Sequence, residues 1–220
     1  MSPDPADPLP PEAEIALAWT PPKVRGPLSI ALQFDRRLAR IVARTTEPML
    51  GQMRLAWWRE ALGKPAAERP RGDAVLDAIG QSWQGREAAL AAMVDGWEVL
   101  VTAETIGSGE AAAFGMGRGA FFAALSPDPL PEGMTARLAA AGKRWALADA
   151  AASVSAPAER SVMVAEGLAG SESRGRFPRA LRGLAVLDAL ALRALRQGGR
   201  PMMEGRGAPL AAFRGAIFRA

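Results

Sequence analysis

The chain has 220 residues, 49% of them hydrophobic and 23% charged, with a formal net charge of +4; that length and apolar content can bury one sizeable core. It contains no Cys, His or Tyr, which excludes disulfides, thiolate nucleophiles, Cys/His zinc sites, Ser-His-Asp triads and phenolic acid–base chemistry. Catalysis would have to use carboxylates, Arg, Lys or a bound metal, and a cytoplasmic location fits the absence of Cys.

The pI of about 10.5 rests on arginine, since only Lys23, Lys64 and Lys143 among the 27 basic residues are lysines. Beside abundant Ala, Gly and Pro this reads as compositional bias, and no nucleic-acid partner is expected. The charge is uneven. Residues 1–20 carry four acids and no base, whereas residues 171–220 carry ten Arg against Glu172, Asp188 and Glu204.

Residues 1–11 are acidic and Pro-rich and read as a disordered tail without a secretory signal; residues 12–220 read as a single all-helical domain. Pro and Gly clusters separate Ala/Leu-rich segments, predicting helices at about 12–19, 28–45, 48–62, 73–84, 86–105, 109–125, 132–153, 157–169, 178–197 and 208–218. No segment alternates with β-branched enrichment, so no sheet is expected. No run of about 18 apolar residues is present to span a bilayer.

On the helix from 28, apolar residues fill roughly 200° of the circumference. Arg36, Arg37, Arg40 and Arg44 occupy the polar remainder, while Asp35 projects from the apolar arc and is predicted to be buried. On the next helix Arg54 lies inside an apolar arc that includes Trp57 and Trp58. If Thr45–Pro48 reverses the chain into an antiparallel hairpin, Asp35 and Arg54 fall at one level, and a paired contact is expected because a lone buried charge is costly. That pair either fixes helix register or faces a ligand. The two tryptophans point about 100° apart, so one of them is a candidate for a cavity wall.

Asp73 reads as an N-cap with Asp77 in the first turn, rather than as a metal pair. Asp95 and Glu98 are expected to face solvent. Asp149 shares a stripe with Leu138, Gly142 and Trp145 and reads either as a cavity residue or as a partly exposed acid near a helix end. At the C-terminus Leu210, Phe213, Ile217 and Phe218 interleave with Arg206, Arg214 and Arg219, a pattern that closes a bundle or meets a membrane.

The segment Phe34-Asp-Arg-Arg-Leu-Ala-Arg-Ile-Val42, followed by Glu47-Pro-Met-Leu-Gly-Gln-Met-Arg-Leu-Ala-Trp-Trp-Arg-Glu-Ala-Leu62, resembles the squalene/phytoene synthase family. Weaker support continues at Asp95–Glu98, Arg118–Phe122 and Ala141–Leu147. The resemblance implies an all-α antiparallel helical bundle around a central cavity, the isoprenoid synthase fold. It also implies chemistry in which two Asp-x-x-x-Asp motifs on facing helices hold Mg²⁺ while two prenyl diphosphates are joined. In this chain the corresponding positions are Ala39 and Ala43 on the first helix, and Ser153 and Pro157 on the second.

The reading that follows is a catalytically degenerate family member, without a cofactor, that acts as a lipid- or protein-binding or assembly factor. Its cavity or ligand candidates are Asp35, Arg54, Trp57, Trp58 and Asp149, and its partners an isoprenoid or lipid ligand or another protein. One alternative is an active Mg²⁺-dependent prenyl-diphosphate transferase, which requires Asp35, Asp149 and Glu104 to converge. Another is a peripheral membrane adaptor that docks through the Arg-rich C-terminal end.

Overall fold

A computed structural model describes residues 8–45, 47–170 and 176–218; most of the tail assigned to 1–11 lies outside the described residues. Among those described there are eleven α-helices and no strand. They are α1 (Pro11–Trp19), α2 (Pro22–Arg44), α3 (Pro48–Gly63), α4 (Ala74–Ser82), α5 (Glu87–Thr102), α6 (Ser108–Gly119), α7 (Phe121–Ala124), α8 (Met134–Ser153), α9 (Pro157–Leu168), α10 (Arg182–Arg196) and α11 (Ala208–Phe218). The all-α class is as the sequence predicts.

Local chemistry sets most helix ends. Pro stands at the first helical position of α1, α2, α3 and α9, where its missing N–H would have had no partner anyway. Asp73 caps α4, its carboxylate accepting from the backbone N–H groups of Val75 and Leu76 at 2.9 and 3.0 Å. Two departures from the predicted spans have physical reasons. Helix α2 begins six residues early because Pro22 opens it and Pro27 lies only one further turn in; the Pro27 carbonyl also accepts the Trp83 indole N–H at 3.0 Å. The predicted helix 109–125 is broken at Ala120 into α6 and α7.

The main packing runs in series, α3 on α5, α5 on α6, α6 on α8, α8 on α10 and α10 on α11, with α2 laid across α4 and α5 and α1 across α10. Helices α3 and α11 are therefore the outer members of the series. Glycines bring the middle of it unusually close. A Cβ at Gly96 would lie 2.5 Å from the Arg118 backbone nitrogen, and one at Gly119 would lie 2.2 Å from the Gly142 carbonyl carbon. Backbone thus meets backbone at the α5–α6 and α6–α8 crossings, which clamp Arg118 between them. A buried aromatic core surrounds this point, with Trp97 against Phe114 and Phe121 against Trp145, both at 5.5 Å.

Candidate functional site

Helix α6 delivers Arg118 into the centre of the bundle, where the residue is 1% exposed. Its Nε donates to Asp35 Oδ1 and its Nη2 to Asp35 Oδ2, both at 2.7 Å. Nη2 also donates to Asp149 Oδ2 at 2.7 Å, and Nη1 to the Ala146 carbonyl at 3.2 Å. Four of the five guanidinium N–H groups are thereby used. The flat faces are covered too, with the rings of Trp97 and Trp145 each 4.6 Å from the guanidinium carbon in cation–π contact. Trp97 donates its indole N–H to Asp35 Oδ1 at 2.8 Å. Burial acts to lower the Arg118 pKa, but Asp35 and then Asp149 outweigh it and hold the guanidinium above its ordinary range.

The buried Asp35 expected from the helix wheel is present, but its partner is not Arg54. Arg54 is exposed and donates to Thr45 Oγ1 at 3.2 Å, because α3 packs chiefly on α5 and turns that side of the helix outward. Trp58 is 4% exposed and lies 5.0 Å from Phe34 in the core. Trp57 is 42% exposed on the outer face of α3. Neither tryptophan lines the cleft described next, whereas Asp149 does.

That cleft, of about 610 Å³, runs between the C-terminal halves of α2 and α8, with α5 behind. Ala39, Ala43 and Ser153, three of the four positions where the family resemblance would place carboxylates, line it. Its apolar wall includes Val42, Leu100 and Val154, Arg36, Arg40 and Arg44 lie along α2, and Trp97, Arg118 and Asp149 form the inner end. Arg36 Nε is buried without a hydrogen-bond partner among the described residues. Pro157 opens α9, and Glu104 is exposed and not part of the lining.

Residues 13–104 match the model of the squalene/phytoene synthase family. The match covers α1 to α5 and includes the α2 wall of the cleft, while no curated protein and no solved structure matches the chain. On that α2 wall, Ala39 and Ala43 stand where the family resemblance implies the first pair of carboxylates.

A second, small cavity of about 10 Å³ adjoins the Arg118 centre, lined by Glu12, Asp35, Arg36, Arg118, Trp145 and Asp149 among others; its volume is that of about one water. Glu12 is brought there by α1 and is 8% exposed. Burial raises its pKa, Asp149 raises it further, and Arg36 and Arg118 pull the other way without cancelling the effect. Sequence reasoning missed both Arg118 and Glu12. A signal for Arg118 was present: it stands in Gly115-Met-Gly-Arg-Gly119, and an arginine flanked by glycines on a tightly packed helix marks a place where two backbones close over a buried side chain.

Proposed function

We propose that this protein binds an amphiphile with an anionic head in the α2–α8 cleft and does not condense it. One observation carries the reading: among the described residues the one carboxylate in the cleft lining, Asp149, and the buried Asp35 next to it are both spent on a built-in guanidinium. A hard divalent cation needs several oxygen ligands in near-octahedral order. Ala39, Ala43 and Pro157 offer no side-chain oxygen, and the Ser153 hydroxyl is within 3.4 Å of the Asp149 carbonyl. Among the described residues no group of three or more acids is arranged to hold a metal. The residues present therefore do not fit Mg²⁺, and no transfer step is derived through it. The transferase alternative is disfavoured on the same ground, because Asp35 and Asp149 converge on Arg118 and Glu104 stays at the surface.

What supports binding is the form of the cleft. Arg36 and Arg44 supply charge-assisted donors for a phosphate, diphosphate or carboxylate head. Val42, Leu100 and Val154 supply apolar contact for a chain. Such a site supports a binding role without catalysis.

The test is a turnover assay on folded protein with Mg²⁺ and farnesyl or geranylgeranyl diphosphate, beside calorimetric titration of the same compounds without metal. The expected result is no diphosphate release and no hydrocarbon product, with metal-independent binding that Arg36→Ala weakens about tenfold. Mg²⁺-dependent turnover would overturn the reading.

The membrane-adaptor reading finds one supporting observation. Leu210, Phe213 and Ile217 are 54%, 50% and 38% exposed on one face of α11, beside Arg214. Phe213 is partly engaged inside the molecule, 6.3 Å from Trp19.

A further inference from the structure

Helix α3 carries an apolar face that none of the described residues covers. Met49, Leu50, Met53 and Trp57 are 71%, 44%, 63% and 42% exposed, and at 100° per residue they share one side of its first three turns. The opposite side, Gly51, Leu55, Trp58 and Leu62, is buried in the packing on α5. An exposed cluster of two methionines, a leucine and a tryptophan is a recognition surface rather than scattered surface residues.

Charge and position select the occupant. Arg54 edges the apolar strip; the acids nearest it on the chain are the exposed Glu47, at the N-cap of α3, and Glu60, which is held by Lys64 at 2.6 Å. Arg54 donates to Thr45 at the end of α2, next to Arg44, which is exposed and forms part of the cleft lining. The strip and the cleft thus meet at one corner, with two arginines at the junction.

We propose that the N-terminal half of α3 docks on an anionic lipid bilayer, Met49, Leu50, Met53 and Trp57 entering the headgroup–acyl boundary while Arg44 and Arg54 meet lipid phosphates. Trp57 suits the interface, where an apolar ring with one polar N–H is favoured. Among the described residues no helix is long and apolar enough to cross a membrane, so the contact lies in the interface plane. Docked this way, the chain presents the cleft mouth to the bilayer, from which an amphiphile can enter without crossing water.

The experiment is vesicle flotation with phosphatidylcholine alone and with about one third phosphatidylglycerol added, using wild type, Met53→Glu and Phe213→Glu, each checked for helicity. The proposal expects wild type to float with the anionic vesicles, to lose most of that binding in high salt, and to be weakened at least about tenfold by Met53→Glu and little by Phe213→Glu. Loss in Phe213→Glu with Met53→Glu unchanged would assign docking to α11 and overturn the proposal. So would absence of wild-type binding, or a wild-type dimer that Met53→Glu dissociates, which would assign the strip to a second copy. Binding of farnesyl diphosphate in vesicle-free solution should be the same in Met53→Glu and wild type, so failure of the docking face and failure of the cleft reading are separable.

Discussion

Two arginines in this molecule each hold two carboxylates, one in the core and one at the surface. Arg118 takes Asp35 and Asp149 at 2.7 Å with its side chain 2% exposed. Arg59, on α3, takes Asp95 at 2.6 Å and also Glu98, both on α5, with its side chain 38% exposed. Coulomb's law is the same at both, but water screens the second pair, whereas at the first the ions gave up hydration that each other, the Ala146 carbonyl, the Trp97 N–H and two indole faces replace. The buried centre is therefore expensive to break and the surface centre cheap, although a contact diagram would draw them alike.

The sharpest way to test that contrast is to remove one partner of the buried set. Arg118→Met leaves the Asp35 carboxylate facing Trp97 alone and should cost about 3–5 kcal/mol of stability, measured by urea denaturation. Adding Asp35→Asn to that variant should recover part of the loss. The amide keeps an acceptor for the Trp97 N–H and removes the stranded charge. A loss under about 1 kcal/mol for Arg118→Met would place the centre with ordinary surface pairs and collapse the comparison.

The buried centre also shows where sequence reading stops. Helix positions, the Asp73 cap, the exposed Asp95 and the burial of Asp35 are local facts, set by Pro and Gly punctuation and by the 3.6-residue period, so they could be read from the chain; Glu98, expected to face solvent, is half-buried because Arg59 of α3 lies over it. The partner of Asp35 is 83 positions away and is selected by the glycine crossings of α5, α6 and α8, which no local period encodes. Arg54 was the wrong partner for a related reason. An antiparallel hairpin would turn the apolar arc of α3 onto α2, but the arc is divided. One part packs on α5, and the other, with Met53 and Trp57, remains outside. The positions Ala39, Ala43 and Ser153 were legible as departures from the family pattern, but that they share a cleft wall required the fold.

Glu12 offers a smaller perturbation of the same buried region. Its folded-state pKa is raised, burial being the first cause, so in the window just above the usual carboxylate value the folded protein binds more protons than the unfolded one. Stability contributed by the protonated acid is then present at low pH and is lost as pH rises through the folded-state value. Glu12→Gln should abolish that loss. The variant is expected to be more stable than wild type at neutral pH, with the difference shrinking as pH falls toward 4.5, the ordinary value, in denaturation midpoints taken across the range. A difference that grows on acidification would mean that Arg36 and Arg118 dominate over burial and that the carboxylate is stabilised there.

The smallest effect belongs to the exposed counterpart. Arg59→Ala removes a guanidinium from two carboxylates, as Arg118→Met does, yet Asp95 and Glu98 are left 58% and 28% exposed at the side chain, where water takes over the lost contacts. The expected cost is about 0.5–1 kcal/mol at low ionic strength. It should fall further in about 1 M salt, where the screening length is about 3 Å, while the cost of Arg118→Met should respond less because the Arg118 and Asp35 side chains are each only 2% exposed. The salt dependence is the sharper discriminant, since it separates the two arginines by solvent access and not by how many contacts each one makes. A salt-insensitive Arg59→Ala would mean that its alkyl stem packing α3 onto α5, rather than its charge, supplies the contribution.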